Sequence, residues 1–201
     1  MKPRILVLYY SMYGNTFMLA KSVCEGIREG EGEAVFRTVP ELLPPHVMDD
    51  ERIKKAKQLQ KEVPVARLED LENIDGIILG SPTRFGNMCS QLRNFLDQTG
   101  GLWGKGALIG KPAGVFCCTA SLHGGQETTL VSMMVTLLHH GAVIVGVPYS
   151  VKELGETQRG GTPYGPTAVV GAMSDEAPDE TELKIAKAFG KRLAQVAKKL
   201  Q

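Results

Sequence analysis

The chain has 201 residues, 43% of them hydrophobic, which suits one α/β domain in the usual range of ~100–200 residues and excludes a disordered chain. Lys and Arg number 23 against 22 Asp and Glu, so no basic field favours nucleic acid and no acidic field favours a basic protein partner. The N-terminal apolar run is too short for a signal peptide, and no run approaches the ~20 residues of a membrane span. A soluble cytoplasmic protein, without membrane insertion, is the expectation.

Arg4–Tyr10 (RILVLYY) is a continuous apolar run, the pattern of a central parallel strand buried on both faces. A helix follows over Thr16–Glu29, with Met18, Leu19, Val23 and Ile27 at helical spacing. Strands are expected at Glu33–Val39, Asp75–Gly80, Pro112–Thr119 and Ala142–Val147, and helices at Ser90–Gln98, Gln126–His140 and Glu180–Leu200. Five strands alternating with helices predict a parallel sheet covered on both faces, as one domain over residues 1–201. Two stretches exceed the minimal pattern: Pro40–Arg67, with a short helix expected within Asp50–Lys61, and Tyr149–Ala177. Long insertions of this kind usually serve function or an interface. Cys117 and Cys118 fall next to each other in a strand, so their thiols should point to opposite faces, and no CxxC pair suggests zinc.

Three loops carry the chemistry. The first strand runs into Ser11, Met12, Tyr13, Gly14, Asn15 and Thr16, and a helix starts there; hydroxyls, a glycine and a helix N-terminus favour a phosphate. Neither GxxxxGK[ST] nor GxGxxG is present, so this is not a Walker or Rossmann loop. The third strand ends at Gly80 and is followed by Ser81, Pro82, Thr83, Arg84, Phe85, Gly86, Asn87 and Met88, which offer an aromatic face and a cation to a flat ring. The fourth ends in Thr119, Ala120, Ser121, Leu122, His123 and Gly124, with exposed backbone groups. In the strand order 2-1-3-4-5 all three would converge on the carboxyl edge of the sheet, beside the switch point between strands one and three.

LVLYYSMYGNT, SPTRFGNM, LRNFLDQTGGLW, LLHHGAVIV and GGTPYG together resemble the WrbA family of NAD(P)H:quinone oxidoreductases, and the resemblance spans nearly the whole chain. It implies a flavodoxin-like fold, non-covalent FMN, a homotetramer, and two-electron reduction of quinones by NADH or NADPH. By matched motif, Ser11 to Thr16 would hold the FMN phosphate. Tyr13 would also meet the nicotinamide nucleotide. Thr83, Arg84 and Phe85 would line the isoalloxazine, with Pro82, Gly86 and Asn87 also at the cofactor, and Cys118 to Gly124 would hold its other side. Trp103 would stand at the substrate pocket, and His139 would approach the flavin from a neighbouring subunit or the pocket wall. The third loop departs from the family's more glycine-rich run, and Cys117 and Cys118 stand where small hydroxyl residues are common. A one-electron flavodoxin carrier is the main rival, and the balanced charge argues against it, because electrostatic docking of a carrier favours an acidic face.

Overall fold

The computed structural model describes residues 1–201. Its sheet is built from β1 (Arg4–Tyr9), β2 (Glu33–Thr38), β3 (Gly76–Pro82) and β4 (Pro112–Thr119), with two short strands, β5 (Val143–Ile144) and β6 (Thr167–Val169). All pairings are parallel and the order is β2-β1-β3-β4-β5, as expected. Consecutive side chains of β1 go to opposite faces. Ile5, Val7 and Tyr9 pack beneath α1 (Asn15–Glu29) and α8 (Glu180–Leu200), against Leu19, Val23, Phe189 and Leu193. Leu6, Leu8 and Tyr10 face α4 (Ser90–Asp97) and α6 (Gln126–His139), against Leu92, Phe95, Leu130 and Met133. Burial on both faces is why these strands read as unbroken apolar runs. Cys117 joins one core and Cys118 the other, and both remain free thiols, as their adjacency predicts.

The far edge differs from the five-strand expectation, because β4 has two partners in succession. Pro112 and Ala113 pair with Val143 and Ile144, while Cys117 to Thr119 pair with Thr167 to Val169. The expected strand over Ala142–Val147 therefore stops early. Val145 still donates to Ala113, but the Val147 N–H turns to the carbonyl of Pro163, and the chain leaves the sheet through α7 (Lys152–Glu156) before returning as β6. Buried Glu182 of α8 secures the return, accepting the N–H groups of Gly160 and Val169 at 2.9 Å each.

The first insertion forms α2 (Pro45–Met48) and α3 (Glu51–Leu59), the latter capped by the Asp50 carboxylate on the Arg52 N–H at 2.8 Å. The stretch around Trp103, for which no helix was expected, is a five-residue helix, α5 (Gly100–Gly104). Two adjacent glycines conceal that turn from a propensity argument. No helix is long and apolar enough to cross a membrane.

Candidate functional site

The loops after β1, β3 and β4 meet at the carboxyl edge of the sheet. Gly14, the N-cap of α1, has φ of +95°, a backbone that a side chain would strain. Its N–H donates to Ser11 Oγ at 3.1 Å. No side chain caps α1 and no acidic residue sits in its first turn, so its opening N–H groups and positive dipole end are offered to an anion. Asn15 and Thr16 are buried around that end. The adjoining cleft, about 30 Å³, is lined by Ser11, Thr16, Pro82, Arg84, Cys118 and Ser174 among others. That is room for a group the size of a phosphate, not for a ring system. Burial pushes the Cys118 thiol up to about 12, although Thr16 beside it acts the other way, so it stays protonated at neutral pH.

Arg84 and Asn87 exchange both backbone hydrogen bonds, at 2.8 and 3.1 Å, around Phe85 and Gly86, whose φ values are +53° and +79°. This is the two-residue turn with positive φ at both centres. It projects the Phe85 ring fully into solvent and leaves the Arg84 guanidinium beside Met12, 3.6 Å from its Sδ. The Thr83 hydroxyl accepts the Gly86 N–H and bonds Thr129 of α6, so it anchors the turn. Gly86 suits the positive φ of the turn, and a Cβ there would lie 3.0 Å from Thr128 Oγ1, a tight contact from which the hydroxyl would have to give way. In the third loop, Thr119 Oγ1 donates to the Ser121 carbonyl, and Ala120, Ser121, Leu122, His123 and Gly124 are exposed. Buried Gln126 ties this loop down, donating to the Leu122 carbonyl at 2.7 Å and accepting from Thr167 of β6.

The first insertion supplies a brace that the loop motifs did not reveal. Arg52 lies 5.2 Å from the centroid of the Tyr13 ring and donates to the Met173 carbonyl at 3.3 Å. Asn15 Nδ2 reaches the Ser174 carbonyl at 3.0 Å. Glu41 accepts from Tyr10 OH at 3.0 Å and pairs with Lys57 of α3 at 2.7 Å. Gln60, just past α3, bonds Tyr9 and Ser11. Only the expected helix in Pro40–Arg67 hinted at such support; side-chain partners some 50 residues apart leave no local signal.

Trp103 and His139 come together with each other but not with the three loops. The indole N–H donates to the His139 carbonyl at 2.8 Å, so Trp103 closes the end of α6. Gln126 begins that helix at the site and His139 ends it thirteen residues on, about 20 Å away at 1.5 Å per residue. His139 is exposed; His140 is buried, with Nε2 3.0 Å from Thr99 Oγ1. Val135 lines a cleft with the pair, and Val131 and Leu138 of α6 and Ile109 are further exposed apolar side chains.

A doubly wound sheet of this order, with an uncapped helix start at its switch point, defines a flavodoxin-like protein. The family model described as NADPH-dependent FMN reductase matches residues 3–155, and the chain belongs to that family. It is 48% identical to an NAD(P)H dehydrogenase (quinone) of Aromatoleum aromaticum, over 98% of this chain and 97% of that one. A protein of the same name from Geobacter sulfurreducens is 47% identical, over 98% of each. Among solved structures, a WrbA-like flavodoxin from Agrobacterium tumefaciens superposes over the full length of both chains with a TM-score of 0.68 at 24% identity. Flavodoxin 1 from Bacillus cereus superposes with a TM-score of 0.60 at 21% identity, over 94% of this chain and 96% of that one. The resemblance to the WrbA group read from the sequence is borne out.

Proposed function

We propose that this chain is an FMN-dependent NAD(P)H:quinone oxidoreductase. The observation that carries the reading is the uncapped start of α1 under left-handed Gly14, set beside the solvent-facing Arg84–Phe85 ridge. Ser11, Thr16 and the first N–H groups of α1 fit a phosphate monoester, while Pro82 to Asn87 and Thr119 to Gly124 fit a flat ring lying outside the sheet edge. A single cradle fits FMN and not FAD. Bound there, the flavin supplies the two-electron chemistry that takes hydride from NADH or NADPH and reduces a quinone to its hydroquinone. Tyr13, beside the cradle, meets the nucleotide. Nucleotide and quinone alternate on one face, which makes the kinetics ping-pong.

Trp103 and His139 reach this face from a neighbouring subunit of a homotetramer. Support comes from their distance from the loops of their own chain and from the exposed apolar side chains of α6. Free, buried cysteines suit the reducing cytoplasm.

The test is anaerobic. Protein purified yellow, whose acid extract contains FMN, should be bleached by NADH or NADPH and recover its colour with benzoquinone, with no separate reductase. A predominance of FAD, or a flavin that neither nucleotide reduces, overturns the reading.

A further inference from the structure

Gln60 is the buried amide through which the first insertion reaches the loop after β1. It stands just past α3 and is 6% exposed. Its Oε1 accepts the Tyr9 hydroxyl at 3.1 Å, and its Nε2 donates to the carbonyls of Ala56 at 2.9 Å and Ser11 at 3.4 Å. The Tyr9 end is rigid, because that side chain is fully buried on β1 and stacked 5.0 Å from Phe36. The Ser11 end is the first residue of the cradle, and Ser11 Oγ in turn receives the Gly14 N–H. The position of Ser11 therefore sets where the cradle's donors point. Helix α3 lies directly against the same loop: Ala56 Cβ would be 3.8 Å from a Cβ on Gly14.

We propose that Gln60 is a positioning residue for the phosphate end of the flavin, holding Ser11, and through it Gly14, in the conformation that receives a phosphate ester. The proposal rests on the FMN reading above. The side chain has to present an acceptor to Tyr9 and a donor to two carbonyls at once, which a glutamine does. Glutamate keeps the acceptor but sets an anionic oxygen against the carbonyls. Leucine strands the Tyr9 hydroxyl and removes the donor.

The experiment compares FMN with riboflavin, which carries the same ring and ribityl chain without the phosphate. The full-length chain is stripped of flavin, and dissociation constants for both are measured by fluorescence quenching in the wild type, Gln60→Leu and Gln60→Glu. Losing one positioning hydrogen-bond set should weaken FMN by about fivefold to tenfold and riboflavin by less than about twofold. Equal weakening of both ligands marks a merely structural residue and overturns the proposal, as does no change in either. If Gln60→Leu does not fold, Gln60→Glu and Tyr9→Phe carry the comparison: a narrowed preference for FMN over riboflavin is expected, and an unchanged preference overturns it. A wild type that shows no preference for FMN removes the phosphate reading and this proposal together. A wild type that prefers FMN, with variants that keep the preference, removes the role of Gln60 alone.

Discussion

At the scale of single residues, Phe85 places a fully exposed phenyl ring on a backbone with φ of +53°. A left-handed conformation costs an L-residue roughly 1–2 kcal/mol, and asparagine tolerates it better. The ring recovers nothing by packing within its own chain, so the strain serves presentation of an aromatic face beside the cradle. Phe85→Asn should raise the denaturant midpoint, by a stabilisation of about 1 kcal/mol, while weakening flavin binding or quinone turnover. An unchanged midpoint, or a stabilised variant with full turnover, would contradict this. The turn itself was legible as a candidate site because a proline, an arginine and an aromatic residue follow an apolar strand. Its strain was not, because nothing about a phenylalanine announces a positive φ.

At the scale of elements, the insertion carrying α3 is a buttress for the loop after β1. Glu41 is its charged link. Burial raises the Glu41 carboxyl, but the Lys57 ammonium, the Leu43 N–H and the Tyr10 hydroxyl outweigh it and hold the group below its ordinary value of 4.5. A carboxyl depressed in the folded state stabilises fully above its unfolded value and loses that contribution as pH falls through the folded one. The contribution of Glu41 to folding stability should thus be complete above about pH 4.5 and be lost as pH falls through the lower folded value. Glu41→Gln should be less stable already at pH 7, with a flatter profile. Denaturant midpoints of both proteins between pH 3 and pH 7, on the order of one point per half unit, check this. A parallel decline in both would release Glu41 from the role. Periodicity placed α1, α4, α6 and α8 because each buries an apolar stripe. It missed α5, where Gly100 and Gly101 open the helix, and overran β5, because AVIVGV is apolar whether or not its backbone stays in the ladder.

At the scale of the whole molecule, α6 carries exposed apolar side chains, with Val131, Val135 and Leu138 recurring along it and Val135 lining a cleft with Trp103. Such a stripe fits the association surface that the proposed homotetramer needs. In the homotetramer proposed above, Val135→Asp should dissociate the subunits in sedimentation and lower quinone turnover, while FMN affinity stays close to that of the wild type. An intact tetramer with unaltered turnover would assign this face to solvent. Trp103→Ala in an intact tetramer should raise the Michaelis constant for quinone or nucleotide by about a few-fold to tenfold, the worth of one stacking contact. Unchanged constants would leave Trp103 as the residue that closes α6. The divided edge of the sheet has a consequence of another kind. The chain leaves β4 after Val145 and rejoins it near Pro166, so both ends of the excursion are clamped to the same strand. Closing a longer loop between fixed ends costs little more than closing a short one. The exposed end of α7 at Gly155 and Glu156 is therefore where this fold accepts lengthening, nicking or a grafted peptide, because Leu154 before it and Gly160 after it stay packed.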